Sequence, residues 1–485
     1  MLLPKEVQYI IKKLEQAGFE AYAVGGCVRD FLLGVKAKDW DITTSALPEQ
    51  IQKLFPKSVY LNKFGTVTIY EIVGKKSAVG PIEVTTYRLD EKYSDQRHPD
   101  SVKFTRNLNE DLARRDFTIN AMALKLSIVN RRPTSVIIDP LGGQKDLKNK
   151  IIRAVGEPEK RFKEDALRLM RAIRFAATLN YEIEPKTWQA IKKAAFLIKR
   201  ISIERIRDEL IKIISSKQPA EGIEKLKEAN LLKHILPELE LGIGVDQNKH
   251  HIYTIYKHSI LSLKYCPSQD YRVRLAALFH DIAKPQTKQG EGPDATFYNH
   301  DIVGARISQK IMRRLNFSRE DIDRVSLLIR YHMFYYDVEV VGEAGVRRLI
   351  RKVGLENIKD LVDLRIADRL GSGVPKAKPY KLRHFEYVVE KVGHDPISVK
   401  MLKINGHQLM TILKIKPGPK VGAILDVLLA EVIDEPKKND PIHLKKRIVE
   451  LNKLDLNELR QRAKEKIKIT QEDMDTEIKG KYYVK

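Results

Sequence analysis

Strand-type patterning in this chain is confined to its first third. Ala21–Val24, Asp39–Thr43, Val67–Val73 and Ile82–Tyr87 are short runs rich in β-branched and aromatic residues. From about residue 150 onward such runs stop, and apolar residues recur at helical spacing almost to the end. A chain so divided reads as an α/β head followed by an all-helical body. It must be α+β, with a small mixed sheet and helices at the front and an all-helical remainder. An amphipathic helix opens the chain on Val7, Ile10, Ile11 and Leu14, and Gly18 ends it. A second helix is expected over roughly 28–33. Breakers cluster near Gly142–Gly143, Gly242–Gly244 and Gly371–Pro379. They divide the 485 residues into four expected domains, 1–145, 146–240, 245–375 and 376–485. The last ~30 residues are charged and weakly patterned, a tail or a solvated helix.

The formal net charge is +24. An excess of that size points to a polyanionic partner, nucleic acid before anionic lipid. No run reaches the ~18 apolar residues that span a bilayer, so no membrane association is expected. Residues 1–6 lack the basic start and apolar core of a secretory signal. Cys27 and Cys266 are the only cysteines. Two thiols exclude a disulfide framework and a zinc site of the usual cysteine kind, and suit a reducing cytoplasm.

The first chemical signal is Asp39-Trp-Asp41. On a strand, residues i and i+2 point the same way, and two carboxylates there repel unless a cation sits between them. Mg²⁺ suits such oxygen ligands and bridges phosphates, the arrangement of in-line phosphoryl or nucleotidyl transfer. An Asp-x-Asp equally describes a surface turn. Upstream, Gly25-Gly26-Cys-Val-Arg29 lies between a strand and a helix. Such glycines let backbone amides approach phosphate oxygens, with the helix N-terminus and Arg29 adding positive charge. An ordinary strand–helix turn reads the same way, but the two features fall within one ~17-residue unit.

The string Val24-Gly-Gly-Cys-Val-Arg-Asp-Phe-Leu-Leu-Gly34, continuing to Asp39-Trp-Asp-Ile42, resembles the signature of class II tRNA nucleotidyltransferases and bacterial poly(A) polymerases. These belong to the polymerase-β-like nucleotidyltransferase superfamily. The resemblance implies a nucleotidyltransferase head followed by an all-α neck, body and tail. It implies that Asp39 and Asp41 hold Mg²⁺ and that Gly26 and Arg29 contact nucleotide. Asp111-Leu-Ala-Arg-Arg-Asp-Phe-Thr-Ile-Asn-Ala121 is similar to the family's second motif, with Arg115 at its nucleotide-contacting arginine. Asp139–Asp146 resembles the hinge between head and neck. Glu83, on a neighbouring strand, is a candidate third metal-facing carboxylate, or a rim residue paired with an arginine.

Arg161–Phe175 carries the most information. At about 100° per residue, Arg168, Arg171 and Arg174 fall within a sector of about 120°, with Leu169, Met170 and Ile173 opposite and Asp165 at the margin. A basic stripe of this kind is commonly a solvated helix face. Here it looks like the family's Glu-Asp-x-x-Arg motif, which implies that Asp165 and Arg168 read the Watson–Crick edges of CTP or ATP and that Arg171 and Arg174 also bind nucleotide. A guanidinium fork donates and a carboxylate accepts, so such a pair suits a protein template needing no nucleic-acid one. The loop 88–99 resembles the flexible loop that enzymes adding only CC largely lack.

A second constellation comprises His258, His280-Asp281 and Asp368. A helix over 272–284 would carry His280 and Asp281 near its end. The flanking residues resemble an HD domain, a helical metal-dependent phosphohydrolase fold. His300 and His332 are candidates to complete a two-metal site, whereas His250 and His251 precede the domain. Imidazole with carboxylate suits Mn²⁺, Ni²⁺, Fe²⁺ or Zn²⁺. Residues 402–409 and 418–425 look like the family's body and tail, so the HD segment is an insertion between neck and body. The expected function is template-independent addition of C, C and A to the tRNA 3′ end from CTP and ATP, releasing pyrophosphate, with HD phosphohydrolase activity as a candidate addition. The basic body would track the tRNA acceptor stem through its phosphates, and no obligatory protein partner is inferred. The alternatives are an A-adding tRNA nucleotidyltransferase, a poly(A) polymerase and, from a different class, an RNA-binding HD phosphohydrolase.

Overall fold

A computed structural model describes residues 3–37, 39–60, 64–72, 75–76, 80–90, 101–129, 132–248, 252–393, 399 and 402–484. The loop expected over 88–99 lies outside the described residues from 91 on, as do His250 and His251. The chain divides into two compact units, Met1–His332 with Asp363–Val374, and Met333–Val362 with Pro375–Lys485.

The first unit opens on a seven-stranded mixed sheet. Its strands are β1 (Ala21–Val24), β2 (Asp41–Thr44), β3 (Ser58–Tyr60), β4 (Thr66–Ile69), β5 (Ile82–Thr86), β6 (Ala123–Val129) and β7 (Arg132–Ile138), in the order β7-β6-β1-β2-β5-β4-β3. Among the described residues of this sheet, β2 and β5 alone pair in parallel, with Asp41 opposite Glu83. The alternation of β5 explains the two faces. Ile82 and Val84 are buried in one core with Ile42, Val67, Ile69 and Leu124, so Glu83 points to the other face. Helix α1 (Lys5–Gln16) closes that core with Val7, Ile10, Ile11 and Leu14, as its spacing predicts. On the opposite face Tyr22 and Val24 pack with Leu108 and Leu112 of a short helix, Leu108–Ala113.

Helices make up nearly all of the remainder. Those that matter below are α2 (Gly26–Leu32), α3 (Leu167–Leu179), α4 (Ile203–Ile214), α5 (Ile255–Tyr265), α6 (Tyr271–Phe279), α7 (His300–Arg314), α8 (Arg319–Tyr331) and α9 (Leu355–Gly371). Among the described residues beyond 150, one strand pair remains: Ile151–Ile152 lies parallel to Glu182–Ile183. In the second unit, the charged C-terminal stretch forms a helix, Leu456–Tyr482. It is tied down by side chains, since Lys481 reaches Glu390 at 2.6 Å and Lys391 reaches Asp475 at 3.1 Å.

The segment 139–146 is built as a tight corner. Asp139 accepts from the backbone N–H groups of Gly143 (2.7 Å) and Gln144 (2.8 Å). Those groups open a helix and would otherwise lack partners. Asp146 accepts from Thr118 Oγ1 (2.7 Å) and Arg153 Nε (3.0 Å). A Cβ at Gly143 would lie 2.3 Å from the carbonyl oxygen of Thr118, which is backbone and cannot swing away. Gly143→Ala is therefore expected to lower stability by about 1–3 kcal/mol, the usual cost of overpacking. The midpoint of urea unfolding will show it.

Candidate functional site

Gly25 is where the sheet meets the site. Its φ of +86° is in the region that favours glycine, and it turns the chain from β1 into α2. A Cβ there would stand 3.0 Å from Arg115 Nη1 and 3.7 Å from Asp41 Oδ2. Gly25, Arg115 and Asp41 thus converge. Gly26, the residue singled out from the sequence, opens α2, and a Cβ there would approach only the guanidinium of Arg29, at 3.6 Å. The signal that marks Gly25 is its position immediately after the last strand residue. Arg29 donates to Asp30 (2.9 and 2.7 Å) and to Asn120 Oδ1 (2.8 Å), and its guanidinium lies 5.3 Å from the ring centre of Phe175.

The expected strand over 39–43 begins later, at Asp41. Asp39 is exposed in the bend before it. The reason lies in both neighbours. Asp41 pairs with Val24, the last residue of β1, and the next residue is the positive-φ Gly25. On the other side the parallel register places Pro81 opposite Asp39, and proline has no amide hydrogen to donate. The carboxylates of Asp41 and Glu83 are instead the two that share a row and a face. Glu83 is exposed, and Asp41 is half-buried. Burial pushes the Asp41 carboxyl up to about 6, Arg115 opposes this, and the charges of Glu83 and Asp39 add to it. A buried carboxyl that resists ionisation with two more acids beside it fits a bound dication. Nearby, Asp111 is fully buried and accepts from Thr43 Oγ1 (3.1 Å) and Arg114 Nε (2.9 Å). Against the cost of burial, Arg114 and Arg115 hold its carboxyl below the usual range.

In the neck, Asp165 interrupts the helical run. It ends one helix, Pro158–Glu164, in an extended conformation, and its Oδ1 accepts from Leu167 N (3.0 Å) at the start of α3. The arginine stripe of α3 is not a solvated face. Arg168 is buried, and it donates to Glu164 (2.8 Å), to the carbonyl of Arg161 (3.2 Å) and to that of Arg114 (3.3 Å). Arg171 pairs with Asp116 at 2.6 Å and Arg174 with Glu209 at 2.6 Å. Asp165 is engaged by Arg205 (3.2 and 2.7 Å). The partners Asp116, Asn120, Arg205 and Glu209 escape the sequence reading, because each lies far along the chain from the residue it holds.

The helical part brings six predicted residues to one place. His258 Nε2 lies 3.0 Å from His280 Nε2, 3.2 Å from Asp281 Oδ2 and 3.4 Å from Asp368 Oδ1. His300 Nε2 and His332 Nε2 lie 3.6 and 3.9 Å from Asp281 Oδ1. Two overlapping groups are spaced to hold cations, His258 with His280 and Asp368, and His280 with Asp281 and His332. Helix α6 stops at Phe279, so His280 caps it and Asp281 lies beyond, rather than both riding on a longer helix. That position has a use. The Nδ1 atoms of His280, His300 and His332 lie 2.9, 2.7 and 2.7 Å from the carbonyls of Ala277, Phe297 and Ile329, each three residues back. Carbonyls at helix ends and turns lack helical partners. They hold the proton on Nδ1 and turn Nε2 inward as a lone pair. His300 Nε2 is buried with no hydrogen-bond partner, as a waiting ligand atom would be. Burial and the neighbouring His280 push His332 down to about 3. His258, despite its burial, is pushed up to about 9 by hydrogen bonds to Asp281 and Asp368. Lys284 reaches Asp281 Oδ2 at 2.6 Å.

Three family models match the chain: the Poly A polymerase head domain over 21–153, the probable RNA and SrmB-binding site of polymerase A over 180–242, and the HD domain over 253–373. A CCA-adding enzyme of Streptococcus thermophilus is 33% identical over 443 residues, 90% of this chain and 95% of the relative. An A-adding tRNA nucleotidyltransferase of Deinococcus radiodurans is also 33% identical, over 84% and 90% of the two chains. A CCA-adding enzyme of Lactobacillus helveticus reaches 52% over 205 residues, and there the match spans about half (48%) of the relative's length. Among solved structures, the Bacillus stearothermophilus CCA-adding enzyme in complex with CTP superposes with a TM-score of 0.60 at 28% identity, covering 93% of this chain and 98% of the other.

Two titrations check the geometry. With its carboxyl at about 6, Asp41 is about one-tenth ionised at pH 5. The part of Mn²⁺ affinity that Asp41→Asn abolishes is expected to fall about tenfold between pH 7.5 and pH 5, read by electron paramagnetic resonance. In the helical cluster, His258 carries a proton at neutral pH until a cation displaces it. Metal uptake at pH 7.5 should therefore release about one proton. The binding enthalpy will then vary with the ionisation enthalpy of the buffer, and Asp281→Ala will abolish that dependence.

Proposed function

Because this chain belongs to the family of CCA-adding tRNA nucleotidyltransferases, we propose that it adds C, C and A to the tRNA 3′ end from CTP and ATP, without a nucleic-acid template. The observation that carries the reading is the Asp41–Glu83 row beside the Gly25 turn and Arg115. Acids at the end of a parallel strand pair, with backbone and guanidinium donors adjacent, suit a triphosphate and its counter-cation. Asp39 and Asp41 would hold Mg²⁺, with Glu83 as third carboxylate. When bound, that ion supplies neutralisation of the phosphate charge and activation of the attacking hydroxyl. Around it, Gly26, Arg29 and Arg115 steady the triphosphate as the tRNA 3′-hydroxyl attacks the α-phosphate and pyrophosphate leaves. Asp165 and Arg168 select the base, and Arg171 and Arg174 bind the nucleotide beside them. Residues 1–145 act as the head, 146–240 as the neck, 245–375 as the HD domain and 376–485 as the tRNA-binding body and tail. The work is cytoplasmic, and no helix among the described residues is long and apolar enough to cross a membrane.

The six-residue cluster supports a second, separate activity. Its mixed imidazole and carboxylate donors suit one or two transition-metal ions and hydrolysis of a phosphoester. The equal identity to a CCA-adding and an A-adding relative also supports a narrower version of the first activity, addition of A alone.

Single-turnover extension tests both. Purified tRNA ending at the discriminator base, at C or at CC is offered CTP, ATP or both, and the products are separated on a denaturing gel. Addition of C, C and A that then stops is the expected outcome. A added only to the CC-ended tRNA would make this an A-adding enzyme, and a long A ladder a poly(A) polymerase. No extension in Mg²⁺ would overturn the transferase reading. Asp41→Asn is expected to slow extension about 100- to 1,000-fold, the usual cost of losing one transition-state charge stabiliser. Asp281→Ala should leave extension unchanged and abolish hydrolysis of phosphoesters.

A further inference from the structure

Helix α4 carries none of the residues assigned above, yet it touches two of those placed at the base-selecting site. Arg205 and Glu209 are four residues apart and so share a face. Arg205 donates from Nη1 to Asp165 Oδ1 at 3.2 Å and from Nη2 to Oδ2 at 2.7 Å. Glu209, 2% exposed, accepts from Arg174 Nε at 2.6 Å. One face of α4 thus offers a cation to the acid opposite it and an acid to the cation opposite it.

The helix is also fixed from behind. Asn316 Nδ2 donates to Glu204 at 2.6 Å, and Arg207 donates to the carbonyl of Asn316. Arg274, buried, donates to the carbonyls of Ile214 (2.8 Å) and Ser216 (3.1 Å), filling acceptors that the C-terminus of a helix leaves open. Arg205 is therefore an immobilised donor.

Resting on the reading of Asp165 as the acceptor that selects the base, we infer that Arg205 is a positioning residue that sets nucleotide choice by fixing the plane of the Asp165 carboxylate. A carboxylate turns about its Cβ–Cγ bond, and a two-point contact from a planar guanidinium removes that freedom. Leu167 N takes a further lone pair of Oδ1. The direction left for accepting a ligand's hydrogen bond is then set by α4. Cytosine and adenine carry an exocyclic amino donor where uracil and guanine carry a carbonyl oxygen. A carboxylate held in one plane favours the first pair and repels the second. One free to turn loses that contrast. Lysine supplies the charge but only a point contact.

The test measures kcat and KM for CTP, ATP, UTP and GTP on tRNA substrates, with the wild-type chain, Arg205→Gln, Arg205→Lys, Asp165→Ala and the Asp165→Ala/Arg205→Gln double variant. Arg205→Gln is expected to raise KM for CTP and ATP about tenfold, the scale of one hydrogen bond to a charged group, with kcat/KM for UTP and GTP unchanged. Arg205→Lys should fall between. The double variant should be no less selective than Asp165→Ala, because Arg205 acts through Asp165. A merely structural role would lower kcat/KM for all four nucleotides alike, and that result overturns the inference. Wild-type selectivity in Arg205→Gln, alongside lost selectivity in Asp165→Ala, overturns the inference and leaves the base-selecting reading intact. Selectivity retained in Asp165→Ala overturns both. Should Arg205→Gln fail to fold, Arg205→Lys decides: about a threefold loss of selectivity supports the inference, and none overturns it.

Discussion

The buried carboxylate of Asp116 is the constraint on which the head–neck arrangement depends. It sits just past the short helix 108–113, and it accepts from Arg171 Nε (2.7 Å) on α3, from Asn120 Nδ2 (3.3 Å) and from Phe117 N (2.9 Å). Asn120 in turn holds Arg29. Against the cost of burial, Arg171 and Arg168 pull the Asp116 carboxyl down to about 2. Leaving such a charge without its partner would cost several kcal/mol, on the order of 3–5. The charge therefore ties α3 to the segment 116–120, and α3 carries Arg168, Arg171 and Arg174. Phe175 fills the space between, 5.7 Å from Phe117, with the guanidinium of Arg174 3.9 Å from its ring centre.

The two candidate centres use opposite electrostatic solutions. In the head, acids accumulate at a strand end, and among the described residues Arg115 is the cation that opposes the rise at Asp41. In the helical part, the Asp281 and Asp368 carboxylates already have counter-charges, Lys284 at 2.6 Å from Asp281 and His258, which their hydrogen bonds push up to about 9 despite its burial. The first suits a loosely held, exchangeable hard cation arriving with a substrate. The second suits resident ions of borderline softness that must displace protons.

Much of this was legible because local spacing encodes it. The glycine turn, the Asp-x-Asp and the arginine stripe each fall within one or two elements, and the six clustered histidines and aspartates were singled out by the resemblance of their flanking residues to an HD domain. What the sequence concealed was nonlocal. Strand register, set by Val24, Gly25 and Pro81, placed Asp41 with Glu83 and left Asp39 in the bend. The stripe on α3 reads as solvent-facing until Asp116 and Glu209, 55 and 35 residues away, join the nearby Glu164 in supplying its counter-charges. Periodicity reports which face packs on apolar neighbours. It is silent on a face that packs through ion pairs.

The histidines at the ends of α6 and α8 have a consequence for motion. Each imidazole is oriented by a carbonyl of the last turn of its own helix. Fraying of that turn frees the ring to flip its lone pair away from the cluster. Both turns are buried, with Ala277, Phe279, Ile329 and His332 almost wholly excluded from water, so this fraying requires the surrounding core to open. The lifetime of an occupied cluster would then be governed by the opening of that core, and the cluster would persist until the packing around it loosens.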